Sequence, residues 1–472
     1  MRRLQRYTIG VLASVIGFIS ACSVGPDYAR PALQTPAAYK EFPAAVKPPA
    51  IDDVVTRRWW EVFADPELNA LEEQVDINNQ NVAQAEARFR QARALVSQTR
   101  AAYFPTVTAG VGITRTAPSE TAGSSTSRSN QAFTDHSLPI DVSWELDVWG
   151  RIRRSVESSQ ALAQASEADL EAARLSARAE LAQDYFELRS LDGQKQILND
   201  TVIAFEKSLQ LTDNRYRSGI ASRGDVLQAE TQLKTTQAQA IDVGVQRAQL
   251  EHAIALLIGK APADLTVTTA PLAATPPTIP AGVPSELLKR RPDVASAERT
   301  LVSSNAQIGV AEAAYYPTLS VDSQGGFESS SWSKWFSVLG RFWSAGFSLS
   351  ETLFDGGARK AQVEQAKAVY DADMAAYRQS VLIGFQEVED NLAALRILAE
   401  EANAQDEAVR AAQQSLAVTN NQYQAGIVSY LNVVVAQTTA LNNERTAVDI
   451  LGRRLNACVL LVKALGGGWK AS

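Results

Sequence analysis

Internal repetition bounds this chain more tightly than any other feature. Ala102-Tyr103-Phe104-Pro105-Thr106 recurs as Ala314-Tyr315-Tyr316-Pro317-Thr318, 212 residues later, and Val82, Ala83, Ala85 and Glu86 recur in the same register at Val294, Ala295, Ala297 and Glu298. Farther on, Asn214-Arg215-Tyr216-Arg217-Ser218-Gly219-Ile220 recurs as Asn421-Gln422-Tyr423-Gln424-Ala425-Gly426-Ile427 at an offset of 207, which Leu188-Arg189 and Leu395-Arg396 share. The first copy therefore holds five extra residues after Pro105, placed in the Ser/Thr/Gly-rich stretch 117–135. Two copies of one structural unit follow. The expected divisions are a leader over 1–21, an N-terminal segment over 22–76, a first repeat over 77–260, a Pro/Ala/Thr-rich linker over 261–284, a second repeat over 285–466 and a tail over 467–472.

Each copy reads as a helix, two short strands, a very long helix, a tight turn and another helix. Along 106–114, Val107, Ala109, Val111 and Ile113 share one face. Along 138–148, Leu138, Ile140, Val142, Trp144, Leu146 and Val148 oppose Asp141, Ser143, Glu145 and Asp147, and in the second copy Trp343, Ala345, Phe347 and Leu349 oppose Ser344, Gly346, Ser348 and Ser350. That is period-two alternation, and it predicts four strands per chain. Strands of about ten residues, apolar outside and polar inside, suit a membrane barrel. A soluble sandwich with one wet face carries the same alternation. Glu351 falls on the apolar face, which puts it at a barrel rim. From 151 to 216 there is no Pro and only Gly193, so one helix of roughly 100 Å is expected. Its stripe of Leu170, Ala173, Ala177, Leu181, Tyr185, Leu188, Leu191, Leu198, Val202, Phe205 and Leu209 is narrow, as in coiled-coil packing. Four strands leave two open edges in lipid, so several chains are expected to close the barrel together.

The N-terminus reads as a secretory leader: Arg2, Arg3 and Arg6 precede an apolar run from Ile9 to Ile19 that ends at Ser20-Ala21-Cys22. The run is shorter than the roughly 20 residues of a spanning helix. The formal charge is -7, and removal of residues 1–21, with three Arg and no acid, takes it to -10. An acidic chain offers nucleic acid no basic face, and a channel lined by it favours cations. Two Cys and two His are too few for a Cys/His metal cluster, and no cofactor is expected. His136 lies beside a strand and His252 stands alone on a helix. No G-x-S-x-G or P-loop is present, so catalysis is not expected. Asp184, Glu187, Glu387 and Glu389 read as solvated helix faces.

Four motifs carry a family likeness: Val24-Gly25-Pro26-Asp27-Tyr28 after Cys22; Trp59-Trp60 with Phe63-Ala64-Asp65-Pro66; Leu288-Lys289-Arg290-Arg291-Pro292-Asp293-Val294; and Ala464-Leu465-Gly466-Gly467-Gly468-Trp469. Together they resemble, in order and over the whole mature chain, the lipoprotein (NodT) branch of TolC-like outer-membrane efflux channels. The resemblance implies a mixed α and β membrane protein, a homotrimer with a 12-stranded transmembrane β-barrel continuous with a periplasmic 12-helix α-barrel. It implies a periplasmic adaptor protein and an inner-membrane RND transporter as partners, with outer-membrane lipid around the barrel. Ile19 to Cys22 resembles a lipoprotein signal, which implies acylation of Cys22, and Ser23 rather than Asp at the next position implies outer-membrane sorting. The function implied is the exit of small molecules from periplasm to outside through a gated tunnel. A protein-exporting channel of the same fold and a structural envelope tether are the rivals.

Two further sites are expected. Gly219 and Gly426 suit left-handed helix ends, and Ser222 with Asp225 has capping-box spacing, which the second copy answers with Ser429 and Asn432. In the family such tips dock the adaptor. The resemblance places the periplasmic gate at Tyr423, Gln424, Asn432 and Val435. Some relatives carry an Asp ring where Val435 stands here, so the expected closure depends little on an acidic ring. Plain helix packing is the other reading of Val433-Val434-Val435.

Overall fold

A computed structural model describes residues 23–33, 35–41, 58–117, 132–280, 284 and 289–469. The expected leader, Cys22 and most of the inserted stretch 117–135 lie outside them. The described chain forms two compact units. One contains Phe89–Ala165 and Ala297–Ala376 with the described residues up to Pro31, and the other contains Ala32–Arg88, Ser166–Ser296 and the chain from Tyr377 on.

In the first unit a single antiparallel sheet runs in the order β1-β3-β4-β5, with β2 also paired to β3. The strands are β1 (Thr106–Ala109), β2 (Gly112–Thr116), β3 (Phe133–Leu146), β4 (Thr318–Ser329) and β5 (Arg341–Ser350). β1 and β2 are the one strand expected over 106–114, interrupted at Gly110 and Val111. Their register on β3 is continuous, from Ala109↔Ile140 to Gly112↔Ser137. Opposite the break stands Pro139, which has no N–H to donate, and only the bond from Gly110 N to the Pro139 carbonyl at 3.0 Å remains there.

Partners directly opposite in an antiparallel ladder share a face. Leu138, Ile140, Val142, Trp144 and Leu146 thus stand with Leu319, Val321, Phe327, Trp343, Phe347 and Leu349. Trp343 is 82% exposed and Phe347 78%. The other face carries Asp141, Glu145, Asp322 and Gln324 among Ser and Thr. There Asp322 accepts from Ser143 Oγ and Ser320 Oγ, each at 3.0 Å.

One sequence expectation needs correction, at the end of β3. β3 stops at Leu146, so Val148 and Asp147 are not strand residues. The Asp147 carboxylate instead accepts from the backbone N–H groups of Ile152 (2.8 Å) and Arg153 (2.9 Å), which satisfies the free donors of the next helix. Glu351 lies just beyond β5 and accepts from Arg359 Nη1 at 3.4 Å. In the same unit the Val24-to-Tyr28 segment is strapped down by Arg154. Its guanidinium donates to the Val24 and Gly25 carbonyls and pairs with Asp27 at 2.7 Å. Gly25 (φ +97°) packs against Gly309 so closely that a Cβ on either would overlap the other strand of chain.

The helices are α1 (Pro66–Asn78), α2 (Gln80–Arg100), α3 (Arg151–Arg217), α4 (Arg223–Leu257), α5 (Pro292–Ala313), α6 (Ala358–Gln424) and α7 (Tyr430–Ala464). The two copies give helices of identical length, 67 residues for α3 and α6 and 35 for α4 and α7. Of the expected stripe on α3, Leu170, Ala177, Leu181, Tyr185, Leu188, Leu191, Leu198 and Phe205 are buried, whereas Ala173, Val202 and Leu209 are half-buried. No described helix is long and apolar enough to cross a membrane.

Beyond a 3-10 turn at Pro262–Asp264, the linker around Val267 to Ala270 packs against the helical unit. Arg247 donates to the Val267 carbonyl (2.7 Å), Glu251 accepts from Val267 N (2.7 Å), and the Ala270 N–H reaches Asp192 (3.2 Å). Asp192 is fully buried as a side chain and sits between Arg189 (3.3 Å) and Arg247 (2.7 Å). Arg189 also reaches Glu67 and the Thr268 carbonyl. Removing the shared carboxylate leaves two confined guanidinium groups short of an acceptor. Asp192→Ala is expected to cost about 3 kcal/mol, read as a lowered denaturant midpoint of the helical circular dichroism signal.

Candidate functional site

The helix tips bear out the turn chemistry legible in the sequence. α3 ends at Arg217 and α6 at Gln424, and the Gly two residues beyond each has a left-handed backbone: φ is +75° at Gly219 and +77° at Gly426. Neither glycine meets side chains that would exclude a Cβ, so the requirement is conformational. At α4 the capping box is complete. Ser222 Oγ accepts from Asp225 N at 3.1 Å and the Asp225 carboxylate accepts from Ser222 N at 2.9 Å. The second copy lacks it, and Asn432 Nδ2 instead donates to Ser429 Oγ at 3.5 Å. Ser429 makes no side-chain cap there, and its carbonyl accepts from Asn432 N at 3.1 Å.

The expected gate residues divide into two groups. Tyr423 is 6% exposed and packs with Tyr430, Val433 and Ala229 of the same chain, its ring edge-on to Tyr430 at 5.4 Å. Gln424, Asn432 and Val435 are exposed, Val435 at 58%. The structure therefore does not bring the four together as one surface. Val433 is buried and Val434 half-buried, so Val435 is the outward member of the Val run.

Two residues outside the sequence expectation complete this tip. Arg215 lies over the Tyr423 ring, 4.7 Å from its centroid, and its Nη1 donates to the carbonyls of Tyr423 (3.0 Å) and Gln424 (3.2 Å). A cation on the last carbonyls of α6 satisfies their acceptors and opposes the negative end of the helix dipole. Tyr430 shares a hydrogen bond with Ser208 at 3.2 Å. The signal available was the repeat itself: Arg215 stands where the second copy has Gln422, and Tyr430 where the first copy has Arg223. Beside the tip, α3, α6 and α7 line a groove of about 440 Å³ that includes Leu211, Gln424 and Gln437. A second groove of about 380 Å³ is lined by Gln422, Asn432 and Val435.

Two of the four carboxylates read as solvated faces are engaged. Glu387 pairs with buried Arg291 at 2.5 Å, and Arg291 also donates to the Ala464 carbonyl. Glu389 accepts from the backbone N–H groups of Lys40 (2.7 Å) and Glu41 (3.0 Å). Only Glu187 is exposed. The sequence could not show these partners, because they arrive from the N-terminal segment and the start of the second repeat. No described group of three or more His, Cys, Asp or Glu side chains is placed to hold a metal.

The profile of outer membrane efflux proteins matches residues 71–260 and 283–467, which is most of the chain. This chain belongs to that family. Among relatives, the "probable efflux pump outer membrane protein TtgC" of Pseudomonas putida is 30% identical over 98% of this chain and 95% of its own length. Outer membrane protein OprJ of Pseudomonas aeruginosa is 30% identical over 99% and 97%. Of solved structures, the outer-membrane channel OprN superposes with a TM-score of 0.89 at 33% identity, covering 95% of this chain and all of that one. The open-state MtrE outer membrane channel of Neisseria gonorrhoeae superposes with a TM-score of 0.82 at 26% identity, covering 95% of this chain and 99% of that one. The family member described here is thus an outer-membrane efflux channel with the mixed helix-and-strand, repeat-built fold of its relatives.

Burial pushes the Asp184 carboxyl on α3 up from 3.8 to about 6, and its like-charged neighbours Glu180 and Glu187 add to the rise. A carboxyl whose folded value exceeds its unfolded one binds its proton more tightly when folded. It therefore favours folding at low pH, and that contribution is lost as pH rises from about 4 to about 6. Asp184→Asn is expected to raise the thermal midpoint at pH 8 and leave it unchanged at pH 4, as followed by circular dichroism in detergent.

Proposed function

We propose that this channel is the outer-membrane exit of a tripartite pump, working as a homotrimer with a periplasmic adaptor and an inner-membrane RND transporter. The observation that carries the trimer is the sheet: four strand positions with both edges unpaired among the described residues, and a face of Trp343, Phe347 and Leu349 open to surroundings. Three copies supply the 12 strands of a closed barrel, which leaves no free edge in lipid. The helix tips around Gly219, Ser222, Asp225, Gly426 and Ser429, with the grooves beside them, are the adaptor-docking surface in this reading. Small organic molecules are the proposed cargo, in keeping with relatives named as toluene, solvent and antibiotic efflux proteins.

In this proposal Gln424, Asn432 and Val435 face the tunnel mouth, and buried Tyr423 acts on it indirectly by holding its own helices. Arg215, clamped across the end of α6, holds the same helices closed. A ring of Val narrows a pore by excluding water, whereas a ring of carboxylates binds cations and makes closure depend on salt and pH. In planar bilayers Val435→Asp is expected to add divalent-cation block and a pH dependence that wild type lacks, and Arg215→Ala to raise the basal conductance of the closed state. Divalent block already present in wild type and unchanged by Val435→Asp would place the constriction elsewhere.

The mature chain is proposed to begin at Cys22, carrying diacylglyceryl and N-acyl groups that supplement the barrel as an anchor. Intact-mass analysis of membrane-extracted protein is expected to show a chain starting at Cys22 with both additions. An unmodified N-terminus would remove the anchor and leave the channel reading untouched.

A further inference from the structure

At the end of the sheet away from α5 and α6, the connection between β4 and β5 does not extend the strands. It folds back onto one face of them. Trp335, 5% exposed, donates its indole N–H to the Phe327 carbonyl at 3.4 Å and packs on Trp332 (5.1 Å), Phe336 (4.9 Å) and His136 (5.7 Å). Phe336 also meets Phe327 at 5.6 Å, and Trp332 meets His136 at 5.5 Å.

The ladder register decides which face this is. His136 lies two residues before Leu138 on β3, and Leu138 stands opposite Phe327, so both anchors of the connection belong to the apolar face with Ile140, Trp144 and Phe347. The aromatic cluster therefore covers the outside of the sheet and not the polar side that carries Asp322. Its outer surface is apolar and open: Trp332 is 66% exposed, Phe336 64%, Val338 73% and Leu339 95%. Gly340 allows the return, since a Cβ there would crowd the carbonyls of Trp335 and Glu328.

Charge adds the second observation. Arg341 stands opposite Phe327 and so belongs to the same outer face, at the row where the aromatic cluster begins. Lys334 is exposed within the cluster's own turn. Neither enters an ion pair among the described residues. Two cations unpaired beside exposed Trp and Phe, continuous with the lipid-facing band, match the boundary where acyl chains give way to phosphate headgroups.

We propose that residues 330–340 form an aromatic foot on the lipid side of the sheet, which binds a phosphate-bearing lipid headgroup of the outer leaflet through Lys334 and Arg341. The proposal rests on the barrel lying in the outer membrane with this end outward. The phosphate accepts from the two cations while Trp332, Phe336, Val338 and Leu339 lie among the upper acyl chains. The connection then stands as a collar beside the pore and leaves its mouth uncovered.

The test uses full-chain protein in detergent, titrated with bisphosphorylated lipid A or its dephosphorylated counterpart and read as retained adducts by native mass spectrometry. Wild type is expected to prefer the bisphosphorylated lipid by about tenfold. Lys334→Gln with Arg341→Gln should abolish the preference, and Trp332→Ala with Phe336→Ala should weaken both lipids alike. Equal retention of the two lipids by wild type, or a preference that survives the double Gln variant, overturns the proposal. So does competition by inorganic phosphate at matching concentration, which would mark a free-anion site. Bilayer conductance of the same preparations reports the pore independently, so a lost lipid preference with intact conductance counts against the foot and not against the channel.

Discussion

A backbone N–H or C=O that meets hydrocarbon without a partner costs several kcal/mol, and the sheet of this protein is organised around that cost. Inside the sheet the ladder is largely continuous, and where β3 passes from β1 to β2 the gap falls at Leu138 and Pro139, the second of which has no donor to leave unpaired. Side chains follow the same logic. Trp343, Phe347 and Leu349 turn outward, where water would penalise them, while Asp322 turns inward and is met by Ser143, Ser320 and Ser348. The polar face can then hydrate a passing solute.

The helical unit meets a different requirement. Helices of 67 residues with a narrow apolar stripe gain too little from that stripe alone to fix their register. Buried charge supplies the rest. Asp192 holds Arg189 and Arg247, those arginines hold the linker at Val267 and Thr268, and Arg291 joins Glu387 to the end of α7. Most of these contacts draw together segments distant in sequence, and hydrogen bonds accompany the charges to offset their desolvation. Glu72 is the exception: 0% exposed, with neither oxygen hydrogen-bonded, its carboxyl is pushed well above the usual range by burial, which favours the neutral acid.

Duplication gave the chain two tips, and the copies have diverged in opposite senses. The first has a complete capping box and an exposed Tyr216. The second has no side-chain cap but buries Tyr423 and Tyr430 and receives Arg215 from the first. One tip is held from within its own turn and the other by its neighbour. That asymmetry lets a single residue, Arg215, tie the end of α6 to α3.

Local chemistry wrote much of this into the sequence. The period-two runs in β3 and β5, the Pro-free stretch of α3, Gly219 and Gly426 at the turns, and the Ser222 and Asp225 pair each need only near neighbours, so the repeat and the barrel-and-helix architecture were legible without coordinates. What only the tertiary structure decided are the relations between distant segments. Asp147 looked like a lumen carboxylate until the helix after it claimed both oxygens, Glu387 and Glu389 showed no partner until Arg291 and the N-terminal segment reached them, and the burial of Tyr423 came only with its enclosure by α3 and α7. A side chain's face along one element follows from a period, whereas its partner depends on where another part of the chain comes to rest.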